Sequence, residues 1–172
     1  MERLYSDIIG MGVYEDDMPR PVTTVQDIIM DYERGELIAF VVGRNKIVTP
    51  VDVLSFSNGI RINSADNIGD VSDVLRVEEI LKSGVRIAQN KVETEGGEEL
   101  GKVFDFAVDD KTYEFRKLYV AKGFLGLFRY DSRIIPSKNI IEILPDKIVV
   151  KDKFESVKEE IKEKGAVKEM AA

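Results

Sequence analysis

Acid-base or metal chemistry in this 172-residue chain would have to come from carboxylates, because the sequence contains neither histidine nor cysteine. Histidine is the commonest general base and metal ligand, and its unperturbed pKa lies near neutrality. Its absence rules out serine triads and His-ligated zinc, and the lack of cysteine rules out disulfides, thiolate metal sites and cysteine nucleophiles. The nearest approach to paired carboxylates is Asp27 with Asp31, echoed by Asp105 with Asp109 and Asp110. Mg²⁺ or Ca²⁺ would suit such oxygen ligands, but no Asp-x-Asp-x-Asp-Gly calcium loop occurs. Asp31 and Asp109 are instead expected to open hairpin turns, where Asp bonds nearby backbone amides. Gly123-Phe124-Leu125-Gly126 lacks the Gly-Lys-Ser/Thr of a phosphate-binding loop. The sequence therefore assigns no catalytic, metal-binding or cofactor-binding residue, and no cofactor is expected.

Binding chemistry is better represented. Ala121 to Arg133 interleaves Phe124, Phe128 and Tyr130 with Lys122, Arg129 and Arg133, adds Leu127, and carries two glycines. From Lys111 to Lys138 seven bases stand against Glu114 and Asp131. Basic, aromatic surfaces of this kind dock proteins or contact RNA. Lys122, Phe124, Leu127, Phe128, Arg129, Tyr130 and Arg133 are accordingly the partner-binding candidates, on a stretch that reads as a long loop. The alternative is that Phe124, Leu127 and Phe128 fold back as a lid over a barrel end, leaving the bases solvated.

The elements that would carry this loop follow from an internal repeat. Ile8 to Val13 aligns with Ile80 to Val85, Val25 to Asp31 with Val103 to Asp109, and Val48-Thr49-Pro50 with Ile134-Ile135-Pro136. The offset grows at Glu93 to Gly101 and at Ala121 to Ser132, both of which read as loops that tolerate insertion. In the first copy, runs at Val22 to Met30, Glu36 to Val42, Val51 to Ser57 and Ile60 to Asn63 read as strands. Asn58-Gly59 between the last two suits a type I′ turn. Their counterparts are Lys102 to Val108, Tyr113 to Val120, Asn139 to Leu144 and Lys147 to Val150. Short strands with frequent turn signals argue for a small closed barrel or sandwich in each copy. Asp70 is positioned to cap a connecting helix that stops at Gly84, and Phe154, Val157 and Ile161 mark a C-terminal helix before a frayed tail.

Composition agrees with a globular chain: 44% of residues are hydrophobic and 33% charged. The net charge of −7 is uneven: residues 1–78 hold 14 acids and 7 bases, and the remainder holds 18 of each. The first half should repel nucleic acid, whereas the second has room for a local basic patch. Met1-Glu2-Arg3-Leu4-Tyr5 has neither a basic leader nor an apolar stretch behind it, so no secretory signal is read and a cytoplasmic location is expected. No apolar run is long enough to span a bilayer. Abundant Lys, Glu, Val and Ile leans towards a thermophilic source.

Gly84-Val85, then Leu100-Gly101-Lys102-Val103-Phe104-Asp105, an acidic turn, a strand, and Arg133-Ile134-Ile135-Pro136 leading to Asn139-Ile140 resemble the PRC-barrel domain. That family includes the cytoplasmic domain of the reaction-centre H subunit and the C-terminal domain of a ribosome-maturation factor. The second copy carries the resemblance over most of its length. The first is looser, with Thr23-Thr24-Val25 in place of Leu-Gly-x-Val and with Pro19 and Pro21 in a shorter hairpin. The expected fold is thus all-β, with two tandem small barrels of PRC type: a first unit at 1–64, a connector helix at 65–83, a second unit at 84–151, and a C-terminal helix and tail at 152–172. The resemblance implies a non-catalytic adaptor that binds a protein partner; the basic aromatic stretch places that docking mainly in the second unit, and the acidic first unit is left either to face another protein or to mediate self-association. An RNA- or ribosome-associated assembly role through residues 121–133 is the alternative.

Overall fold

A computed structural model describes residues 1–125 and 128–153, with side chains described up to Gly123 and again from Asp131. The expected C-terminal helix and tail therefore lie outside the described residues from 154 onwards. In chain order the elements are β1 (Glu2–Leu4), α1 (Tyr5–Ile8), β2 (Gly12–Glu15), β3 (Thr23–Thr24), β4 (Asp27–Asp31), β5 (Glu36–Gly43), β6 (Lys46–Val48), β7 (Val53–Phe56), β8 (Ile60–Ile62), β9 (Gly69–Asp70) and α2 (Leu75–Ser83). Then come β10 (Lys91–Thr94), β11 (Glu99–Asp109), β12 (Phe115–Leu125), β13 (Phe128–Pro136), β14 (Ile140–Ile143) and β15 (Lys147–Val150). The chain is mainly β, as its pattern predicts. The strands form three ladders: β13-β12-β11-β10-β15-β14 with β1 added on β11, β3-β2-β8-β7, and β4-β5-β6-β9. Among the described residues each ladder is an open path and not a hydrogen-bonded ring.

The same connectivity occurs twice. β2 runs parallel to β8, which pairs antiparallel with β7; β10 runs parallel to β15, which pairs antiparallel with β14. Single hydrogen bonds repeat as well. The Gly10 amide donates to the Val25 carbonyl and the Val25 amide to the Met11 carbonyl (2.8 and 2.9 Å), while Gln89 donates to Val103 and Val103 to Asn90 (2.9 and 3.0 Å). The alignment of Val25 with Val103 holds, but that of Ile8–Val13 with Ile80–Val85 does not, since Met11 stands where Asn90 stands. The reason is local: Ile80-Leu81 belongs to α2, which ends at Gly84 with φ +70, and the apolar pair that mimics Ile8-Ile9 is helical.

The turn role of the aspartates is also found twice. Asp31 Oδ1 accepts from the Glu33 and Arg34 amides at 3.1 Å each, and Asp109 Oδ1 from the Lys111 and Thr112 amides at 3.0 Å each. These two turns meet. The Leu37 amide donates to the Tyr113 carbonyl and the Phe115 amide to the Gly35 carbonyl, both at 2.8 Å, with Glu36 bridged to Glu114. Each bond is the other's counterpart under the Asp31-to-Asp109 alignment, so the two turns meet at equivalent positions through one antiparallel bridge.

Packing joins the copies further. A single buried cluster runs from Ile8, Phe40 and Phe56 to Val103, Leu118 and Ile135. Tyr113 stacks on Phe56 at 6.2 Å and meets Phe40 edge-on at 6.3 Å. A second cluster lies beneath α2, where Val77 and Ile80 cover Ile29, Ala39 and Ile47. Arg76 pins this helix: its Nε and Nη2 each reach a carboxylate oxygen of the fully buried Asp31 at 2.8 Å, and Nη2 also reaches Glu33. The Arg76 bonds hold the Asp31 carboxyl below the usual range.

Strand pairing crosses two of the expected boundaries. The connector at 65–83 also contributes a strand, because β9 pairs with β6; Asp70 closes that strand and is the N-cap residue of a short 3-10 turn, Val71–Asp73, its amide donating to Asp73 Oδ2 at 2.9 Å, and α2 follows after Val74. The N-terminal strand β1 pairs with β11, Leu4 opposite Ala107, so residues 2–4 complete the sheet of the second copy.

Candidate docking surface

The stretch 121–133, read from the sequence as a loop, is largely strand. β12 continues to Leu125 and β13 starts at Phe128, with Gly123 opposite Tyr130, Phe124 opposite Arg129 and Leu125 opposite Phe128. Alternation here is obscured by glycine and by adjacent apolar residues, Phe124-Leu125 and Leu127-Phe128, which hide the strand period. The pairing of β12 with β11 ends at Ala121 opposite Lys102. Beyond that point β12 pairs with β13 alone among the described strands, forming a two-stranded ribbon.

Gly101 sets this parting. It has φ +117, and a Cβ added there would overlap the Ala121 carbonyl. This is backbone that glycine alone adopts easily. Past it, β11 turns to β10, with Val92 opposite Gly101.

Of the seven candidate residues, Lys122 and Arg133 have described side chains. Lys122 Nζ lies 3.2 Å from Asp131 Oδ2, and Arg133 Nη2 lies 3.5 Å from Asp131 Oδ1 and 3.8 Å from Glu98. The Lys122 bond, with Arg133 behind it, holds the Asp131 carboxyl below its usual range. Such surface pairs contribute about 0–1 kcal/mol each; their effect is to orient the ribbon base. Phe124, Leu127, Phe128, Arg129 and Tyr130 lie outside the described side chains, so the lid expected of Phe124, Leu127 and Phe128 falls outside them too.

A second feature was not legible in the sequence because five separated segments build it, around Tyr5, Asp27 to Tyr32, Val41, Ile80 to Gln89, and Phe106. A cavity of about 400 Å³ lies between α1, β4, the end of α2 and residues 84–89. At its wall Tyr5 stacks on Phe106 at 4.8 Å, and its hydroxyl donates to Asp27 Oδ1 at 3.0 Å. Burial, reinforced by Asp27, pushes the Tyr5 phenol up to about 12. An unfolded tyrosine ionises near pH 10, so the folded pKa is the higher one. The resulting stabilisation is complete below about pH 10 and disappears as pH rises towards 12. Tyr5→Phe should therefore flatten the alkaline loss of stability in that window and remove one late phenol from an ultraviolet titration; an unchanged titration would refute the assignment.

Among the described residues there is no group of three or more acids placed to hold a metal ion, and no helix long and apolar enough to cross a membrane. Fold and site together define a mainly β protein with a two-stranded ribbon and a separate cavity. The PRC-barrel domain family model matches residues 1–62; it describes a family of small, generally non-catalytic β domains. The match falls on the copy whose motif residues look looser in the sequence. No curated protein matches the chain.

Proposed function

We propose that the chain is a cytoplasmic, non-catalytic adaptor made of two PRC-barrel-like units, roughly 1–64 and 84–151, that docks a protein partner through the β12–β13 ribbon of the second. The observation that carries this reading is the ribbon itself. It extends past the last β11 pairing, and its sequence interleaves aromatic and basic residues where the first copy has only the short β5–β6 turn at Arg44-Asn45. Recurrence of the Val25 and Val103 bonds supports the two-unit division. A protein partner is favoured over RNA because the described bases at the ribbon base, Lys122 and Arg133, already face Asp131 and Glu98, which leaves less charge for phosphates.

Phe128→Ala and Arg129→Glu test the proposal on the tagged full chain. Each should reduce partner recovery at least tenfold with an unchanged unfolding midpoint, and recovery from the unaltered chain should fall only weakly with salt. Loss of stability with unchanged recovery would support the lid and overturn docking. A steep salt dependence with co-purifying RNA would move the assignment to phosphate contact.

A further inference from the structure

The cavity beside Tyr5 is unrelated to the ribbon, and its lining combines an apolar body with an unequal pair of charges. Ile80 and Leu81 of α2, Met30 of β4, Val85 and Ala88 of the following turn, and Phe106 of β11 supply the apolar lining. Asp27 and Arg86 stand at its rim. Their hydrogen-bonding states differ. The Asp27 carboxylate already accepts from the Tyr5 hydroxyl at 3.0 Å and from the Ile28 amide at 2.8 Å. The exposed Arg86 guanidinium has no ion pair or side-chain hydrogen bond among the described residues, although it lies close enough to Tyr5 to oppose the rise of the phenol. The unmet demand at this rim is for an acceptor with negative charge.

We infer that this cavity is a binding site for a small amphipathic anion, with an aromatic or short aliphatic body between Met30, Leu81 and Ala88 and a single carboxylate or sulfonate against Arg86. The volume, about 400 Å³, falls within the usual range for small-molecule sites, which are mostly apolar with a few placed polar groups. A guanidinium matches the planar, two-oxygen face of such a head group better than an ammonium would. Because the walls come from β4, α2 and the segment leading into β10, an occupant would tie the connector to both copies and raise the unfolding temperature of the whole chain.

Anilinonaphthalene sulfonate serves as the probe on the native full-length chain, with octanoate as competitor. One saturable site per chain is expected, displaced by octanoate. Ala88→Phe, which fills a half-buried position in the wall, should abolish binding, and Arg86→Glu should weaken it at least tenfold. Leu81→Trp, at an exposed position on the rim, provides a second filling variant if Ala88→Phe disturbs folding. Binding that does not saturate, or that ignores both filling variants, overturns the site. Binding that is lost on filling but indifferent to Arg86→Glu overturns the anionic class. Neither result bears on the ribbon, whose variants are read by partner recovery.

Discussion

Gly101→Ala is expected to destabilise the chain by roughly 3 kcal/mol, the sum of a forbidden backbone conformation and a backbone overlap. Gly97→Ala is the control. Both glycines have positive φ, +85 at Gly97 and +117 at Gly101, but a Cβ at Gly97 meets nothing within 4 Å, whereas at Gly101 it meets the Ala121 carbonyl. Gly97→Ala should therefore cost only the conformational strain, about 1 kcal/mol. Urea denaturation of the two variants measures the difference. The carbonyl cannot move aside alone, because Ala121 is paired with Lys102 on one side and Ser132 on the other. Any relief must displace the root of the ribbon, so Gly101→Ala should also impair partner recovery. Equal costs for the two alanines would mean that the ribbon is not held by this contact.

Legibility followed from how local the determining forces are. Turn aspartates could be read because Asx hydrogen bonds span two or three residues, and Asp31 and Asp109 do in space what they suggest in sequence. Strands with clean apolar content, such as β5 and β15, were placed within a residue or two. The failures have a common cause in tertiary context. β1, β2, β9 and β10 are two to four residues long, too short to show a period, and they exist because a neighbouring strand offers them an edge. α2 borrowed the apolar pair that should have marked the repeat. The ribbon reads as a loop in sequence because its glycines and its adjacent apolar residues mask alternation. The cavity drew on residues from 5 to 106, a separation no motif reports. Among charges, Arg76 was missed altogether; a lone arginine on a helix has no sequence signal, and its bidentate hold on a buried Asp31 follows only from the fold.

The shared core leads to the other large expected effect. Phe40 is fully buried, and its ring meets Phe56 edge-on at 5.3 Å and Tyr113 edge-on at 6.3 Å. Truncation to alanine removes a large apolar side chain and leaves a cavity that rigid β-strands cannot collapse into, at a cost of about 4 kcal/mol. Tyr113 makes this position informative. It holds φ +61, an uncommon conformation for a bulky residue, and its place in the first copy is taken by Gly35, a residue suited to that geometry. The ring contacts with Phe40 and Phe56 offset that strain, and the reciprocal bonds at Leu37 and Phe115 lie at the same point. Phe40→Ala should therefore loosen the contact between the two turns as well as the first copy. Amide exchange distinguishes one folding body from two. If the copies unfold as one, protection at Leu118 and Val120 of β12 falls in Phe40→Ala by the same factor as at Ala39 and Val41 of β5. If they were independent barrels on a linker, β12 protection would be unchanged. The continuity of the buried cluster from Phe40 through Val103 to Leu118 requires the first outcome, because packing removed from one side of a common core weakens every strand that shares it.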